Sequence, residues 1–288
     1  MYSTVLVTNK NSARRLAEWP LGPGYDVTSA KASPRPKLNR RRDTTRHDAT
    51  RHDTTFPVTP LPLHLATMSH PHPYYPPTLV LPSYAAPVYA LPTLLGIFAG
   101  IGGLVLLLAW QLMSYLNPTL TPRSKLTASW FLFCGLLHIH FEGYFVKYRR
   151  TLAGRSDLVA ELWKEYAQSD SRYLTQDSFV VGIEALTVLF LGPLCLLTFL
   201  AIVRDSPVRH PARLLACCCH IYGVALYFVT ETVQGNKHCR PEALYFWGYY
   251  VGCNLPWLLV PGVLAWRSFR AMSEAVEAKE KGAARKFK

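Results

Sequence analysis

The sequence predicts an all-α integral membrane protein, a five-transmembrane-helix bundle. Three observations carry this. Half of the 288 residues are hydrophobic and only 17% are charged. From Thr54 to Pro122 there is no Asp, Glu, Lys or Arg. Further apolar stretches, almost as bare of charge, recur along the rest of the chain. A helix in water needs a polar face, and windows of ~20 uncharged residues leave none.

Residues 1–67 are rich in Arg, Thr, Pro and His, with few periodic apolar positions. They read as a disordered basic extension or a gene-model artefact, with Met68 a second plausible start. The repeat Thr-Arg-His-Asp at Thr45–Asp48 and Thr50–Asp53 is low complexity rather than a metal site. Residues 68–92 carry seven prolines from Pro71 to Pro92 and several tyrosines. Proline withholds the helix donor, so this stretch reads as an interfacial lead-in.

The membrane domain is predicted over 93–267. Its first span covers about 93–115, and Gly96 and Gly100 within it have the spacing of close helix contact. The second, about 125–147, has Glu142 as its only internal acid. The third, about 178–203, has Glu184 as its only charge before the helix end. The fourth covers about 212–231 and the fifth about 243–266. At ~1.5 Å per residue each reaches across roughly 30 Å of hydrocarbon. The segment 148–177 is too polar to span and predicts a loop with a short amphipathic helix around Leu158–Tyr166.

The net charge is +13. Basic residues gather in the N-terminal arm, the short loops and the 268–288 tail, not as a stripe interleaved with aromatics. That pattern fits an anionic bilayer surface and speaks against nucleic acid. The basic tail predicts a cytoplasmic C-terminus, and the final Arg-Lys-Phe-Lys loosely resembles an endoplasmic-reticulum retention signal. The seven cysteines show no CxxC spacing and read as free, mostly buried thiols.

A charge within the bilayer costs about 2.5–3.5 kcal/mol on insertion scales, so Glu142 and Glu184 each require a reason. His138 lies four residues before Glu142, on the same helix face. Glu142 lies roughly 8 Å in from the 148–177 loop and Glu184 roughly 10 Å, on antiparallel neighbours. Thr187 follows Glu184 by three residues. Two carboxyls and an imidazole at one dry level can give a proton at one point and take one at another. Asn254 and Trp257 share a face of the fifth span, and the indole can offer its π face to a cation. Tyr222 and Tyr227 on the fourth span are candidate cavity-lining residues. His138 and His140 point some 200° apart, so one metal cannot easily take both. The residues predict neither metal nor cofactor, since phosphate-loop, haem and nucleophile-elbow motifs are absent. On residues alone, a proton-transfer enzyme and a proton-coupled transporter or receptor both remain open.

Four stretches resemble one family. They are His138-Ile-His-Phe-Glu142-Gly-Tyr-Phe, Leu162-Trp-Lys-Glu-Tyr-Ala-Gln-Ser-Asp-Ser-Arg-Tyr173, Ile221-Tyr-Gly with Leu226-Tyr-Phe-Val-Thr-Glu231, and Leu244-Tyr-Phe-Trp-Gly-Tyr-Tyr250 with Asn254. In order and spacing they look like the emopamil-binding protein family, the membrane sterol Δ8–Δ7 isomerases of the EXPERA superfamily, over about 90–270. The resemblance implies a five-helix bundle in the endoplasmic reticulum with a sterol cavity. It implies a Δ8-sterol substrate of the zymosterol or fecosterol type, protonated at C9 and deprotonated at C7. It also implies inhibition by cationic amphiphilic amines, and it is compatible with a homodimer. His138, Glu142, Glu184, Asn254 and Trp257 match the family's catalytic positions, with Thr187 beside Glu184. Asp170, Arg172 and Tyr173 match a loop that orders the cavity mouth. Pro256 departs from the family pattern and predicts a kink before Trp257. The runner-up reading is a non-catalytic sterol or amphiphilic-amine binder of the same superfamily.

Overall fold

The computed structural model describes residues 71–286, so the readings made for residues 1–67 lie outside it. Among the described residues the chain is helical and has no strand; the one β-type contact is an isolated bridge between Asp170 and Cys239.

Helix α1 (Leu91–Leu116) begins with Pro92 in its first turn, where the missing N–H is not needed. Its surface is apolar and open: Leu95, Ile101, Leu104, Leu108 and Leu112 are all exposed. Helix α2 (Pro122–Leu136) is capped by Thr121, whose side chain accepts from Ser124 N. It runs into a π-helical turn, Leu137–Glu142, and then α3 (Gly143–Tyr148). Helices α4 (Leu158–Tyr166) and α5 (Arg172–Thr175) lie in the following connection. The amphipathic helix falls on the residues its pattern marks.

Helix α6 (Ser178–Leu186) continues through a second π-helical turn, Thr187–Leu191, into α7 (Gly192–Val203). Helix α8 (Arg209–Val233) follows. A third π-helical run, Leu244–Val251, leads to α9 (Gly252–Asn254) and α10 (Pro256–Lys286). Among the described residues, three helical stretches are long and apolar enough to cross a membrane: Leu91–Leu116, Ser178–Val203 and Arg209–Val233.

Two glycines set how closely the π turns approach. A Cβ on Gly192 would meet Ile139 Cγ1 at 2.7 Å and His138 Cβ at 3.3 Å. One on Gly135 would meet Leu196 Cδ2 at 2.6 Å. Glycine on both helices brings the backbones together and places His138 beside the second π turn.

Residues 71–90 form no helix but are tied down on α4. Val88 N donates to Glu161 Oε2 at 2.9 Å, and Lys164 Nζ donates to Ala85 O at 3.0 Å. Glu161 and Lys164 also pair with each other at 2.6 Å, both side chains fully buried. Buried Tyr74 and Tyr84 pack edge to face, 5.7 Å between centroids.

Candidate active site

A cavity of about 410 Å³ opens between α2, α6, α8 and the α9–α10 junction, within the range of small-molecule sites. Its wall is apolar and aromatic apart from a few polar side chains. Among these are His138, Glu142, Glu184, Thr187, Tyr173 and Asn254. Trp257 and Tyr227 line it too.

Each polar group is set by its helix. The π turn carries His138 and Glu142 side by side, with Nδ1 and Oε1 2.7 Å apart. Glu142 Oε2 accepts from the Thr187 hydroxyl, which starts the second π turn. That hydroxyl is also 2.8 Å from the Glu184 main-chain oxygen and 3.4 Å from Glu184 Oε2. One threonine therefore stands between the two carboxyls. Tyr173 OH donates to Glu184 Oε1 at 2.9 Å. Its ring is held by Trp163, Phe145 and Tyr166, with centroids 4.9 to 5.2 Å away. Both acids are 8% exposed, and no Lys or Arg among the described residues pairs with either. π-Helical turns widen a helix locally and recur at functional sites; here the first carries His138 and Glu142, and the second opens with Thr187, three residues after Glu184 of α6.

Asn254 is apart from the carboxyls, donating to Tyr166 OH at 3.0 Å and Tyr250 O at 2.8 Å. Pro256 does interrupt the helix: it opens α10 just after Leu255. Trp257 nevertheless faces the cavity, packed on Trp130 and Phe133 at 5.6 and 6.5 Å.

Asp170 and Arg172 stand behind the wall rather than on it. Arg172 Nη2 reaches Asp170 Oδ2 at 2.6 Å and Arg172 Nε reaches Glu231 Oε2 at 3.3 Å, all with fully buried side chains. Tyr227 OH donates to Asp170 Oδ2 at 2.6 Å, and His238 N donates to Glu231 Oε1 at 2.7 Å. Burial alone would lower the Arg172 pKa, but the hydrogen bond and charge of Asp170, with Tyr227 and Glu231, drive it up. This cluster fixes the segment that carries Tyr173.

Tyr222 requires correction. It is 67% exposed and does not line the cavity. The inward stripe of α8 is Cys219, His220, Gly223, Val224 and Tyr227, at helical spacing, and Tyr222 falls off it.

His220 was not foreseen. It is buried, and its Nε2 lies 2.9 Å from His138 Nε2. The signal was present in the sequence, because His220 precedes Tyr227 by seven residues on one helix face. His140, two residues after His138, is exposed and takes no part in this cavity.

The profile of EXPERA, the expanded EBP superfamily, matches residues 158–268. The 3-beta-hydroxysteroid-Delta(8),Delta(7)-isomerase of Cavia porcellus is 35% identical over 202 residues, covering 69% of this chain and 88% of that protein. The Rattus norvegicus protein of the same name is 36% identical over 210 residues, covering 71% and 90%. The Arabidopsis thaliana protein named as a probable isomerase of this kind is 33% identical over 205 residues, also covering 71% and 90%.

Proposed function

The chain belongs to the EBP family of the EXPERA superfamily, and from that premise we propose that it is a sterol Δ8–Δ7 isomerase. It is an enzyme that moves a carbon–carbon double bond within its substrate. The observation that supports this best is the pair of buried carboxyls joined by the Thr187 hydroxyl at the wall of an apolar cavity.

The substrate is a Δ8-sterol lying in the cavity. Glu142, tied to His138, gives a proton to C9, and the C8–C9 π electrons form the new C9–H bond. A tertiary cation is left at C8. Carboxylate charge and the face of Trp257 stabilise it. Glu184, oriented by Tyr173, takes a proton from C7, and the C7–H electrons become the C7–C8 double bond. No electron is gained or lost overall. The Thr187 hydroxyl then relays the proton from Glu184 back to Glu142. Asn254 and Tyr227 shape the site around the sterol, and the Asp170–Arg172 cluster orders its mouth by holding Tyr173. A cationic amphiphilic amine would imitate the C8 cation and inhibit.

Five helical runs, near 93–115, 125–147, 178–203, 212–231 and 243–266, cross the endoplasmic-reticulum membrane, with the basic tail in the cytoplasm. The open apolar surface of α1 supports a lipid surround. The test is expression in yeast lacking sterol isomerase, followed by gas chromatography of the sterols. Appearance of Δ7-sterol is expected; persistent Δ8-sterol with well-expressed protein would favour the non-catalytic binder.

A further inference from the structure

The contact between His138 and His220 has no part in the proton path above. Both rings are buried, with their Nε2 atoms 2.9 Å apart. At that distance two bare lone pairs, or two N–H groups, would repel, so one proton lies between them.

Cys195 raises a second use for the same atoms. One ligand atom each from His138, Cys195 and His220 lies within 4.8 Å of the others. Ring geometry decides between a metal and a proton. The centroids are 5.2 Å apart, which equals the 2.9 Å nitrogen contact plus one ring radius at each end. The two nitrogens therefore face each other head-on. A tetrahedral metal needs lone pairs that converge on a third point. An N–H···N bond needs them in line.

The direction of that bond follows from the outer nitrogens. His220 Nδ1 is buried and has no partner among the described residues. His138 Nδ1 meets Glu142 Oε1 at 2.7 Å. If His220 carried its proton on Nδ1, a buried N–H would go unsatisfied. With the proton on Nε2, His220 donates to His138 and its bare Nδ1 is the lesser loss. His138 must then carry its own proton on Nδ1 and donate it to Glu142.

We propose that His220 is a positioning residue for the isomerisation: it donates from Nε2 to His138 Nε2 and so holds His138 as the Nδ1–H tautomer aimed at Glu142. Glu142 Oε1 is then occupied as an acceptor. The transferable proton is confined to Oε2; when Oε2 carries it, the Thr187 hydroxyl donates instead to the Glu184 main-chain oxygen 2.8 Å away. The inference rests on the isomerase reading and adds to it a specific role for α8.

The test is steady-state kinetics on membranes carrying the full chain, with zymosterol as the probe substrate. Wild type is compared with His220→Leu, His220→Asn and His220→Gln. A glutamine amide nitrogen reaches the place of Nε2, whereas that of asparagine reaches only Nδ1. Loss of one buried hydrogen bond to a reacting group predicts a fall in kcat of roughly tenfold or more for Leu and Asn. KM moves by less than kcat falls, within about threefold, because His220 is one of many residues lining the cavity while its bond acts on the reacting pair. Gln restores kcat to within about threefold. Unchanged kcat in His220→Leu would overturn the proposal. So would a raised KM at constant kcat, or a Gln variant no better than Asn. If the Leu variant fails to accumulate, the Gln-to-Asn comparison still decides. Wild type that makes no Δ7-sterol would instead overturn the isomerase reading itself.

Discussion

Two groups of buried acids lie close together in this protein, and their surroundings differ in one respect. Asp170 and Glu231 are matched by the Arg172 guanidinium, backed by Tyr227 and the main chain of His238. Glu142 and Glu184 have no such cation among the described residues. Their partners are an imidazole, the Thr187 hydroxyl and the Tyr173 phenol, each able to hold a proton in more than one arrangement. A fixed cation makes an acid structural, because its proton is displaced permanently. Polarisable, proton-sharing partners leave an acid free to exchange its proton. The first cluster holds the wall; in the proposed mechanism the second does the chemistry.

Substitutions can break that contrast. The largest effect is expected from Glu184→Gln, which keeps shape and hydrogen bonding but cannot take a proton. Conversion should fall on the order of 10³-fold or more with the protein still expressed, measured by Δ7-sterol formation. Normal turnover would remove Glu184 from the mechanism. Arg172→Leu should act on the other cluster, leaving two buried carboxylates unmatched. It should cost about 3–5 kcal/mol of stability and be seen as loss of folded protein on detergent size exclusion. A folded Arg172→Leu protein with selectively lost kcat would blur the distinction.

Thr187→Val should lie between these in its effect on activity. It removes the bridge while filling the same space, so kcat should drop roughly 10- to 100-fold with little change in melting temperature. A smaller effect is expected far from both clusters, at Asp157, the N-cap of α4. Burial raises this carboxyl, but hydrogen bonds from Tyr144, Arg155 and Ala160 N outweigh it and the pKa lies below the ordinary 3.8. A lowered carboxyl pKa means a stabilisation present above pH 3.8 and lost as pH falls through the folded value. Asn caps as well as Asp, and the Asp157–Arg155 pair is over a third exposed and screened by solvent, so Asp157→Asn should lower thermal stability by only about 0.5 kcal/mol or less at neutral pH, and converge with wild type in strong acid. An equal difference at both pH values would assign the effect to something other than the charge.

Much of the helical layout could be read from the chain. Apolar runs marked the long helices, and the period of 158–166 marked α4. Glu142 and Glu184 stood out because charge is so rare around them. The finer placement depended on contacts between distant segments. The close crossing at Gly135 and Gly192 and the two π turns have no local pattern that announces them. Tyr222 was misplaced because an aromatic residue in an apolar helix reads alike whether it faces lipid or cavity. His220 was overlooked although it shares a face with Tyr227, because its meaning comes only from His138, which lies 82 residues earlier.

The central claim is that one buried acid gives a proton to the sterol while another takes one. A single turnover in D₂O tests it most directly. The protein is equilibrated in D₂O and mixed with a smaller amount of Δ8-sterol, and the product is read by mass spectrometry and deuterium NMR. The account predicts one deuterium at C9 of the Δ7-sterol, delivered by the exchanged acid. A product free of deuterium would mean that hydrogen moved directly from C7 to C9, and would contradict it.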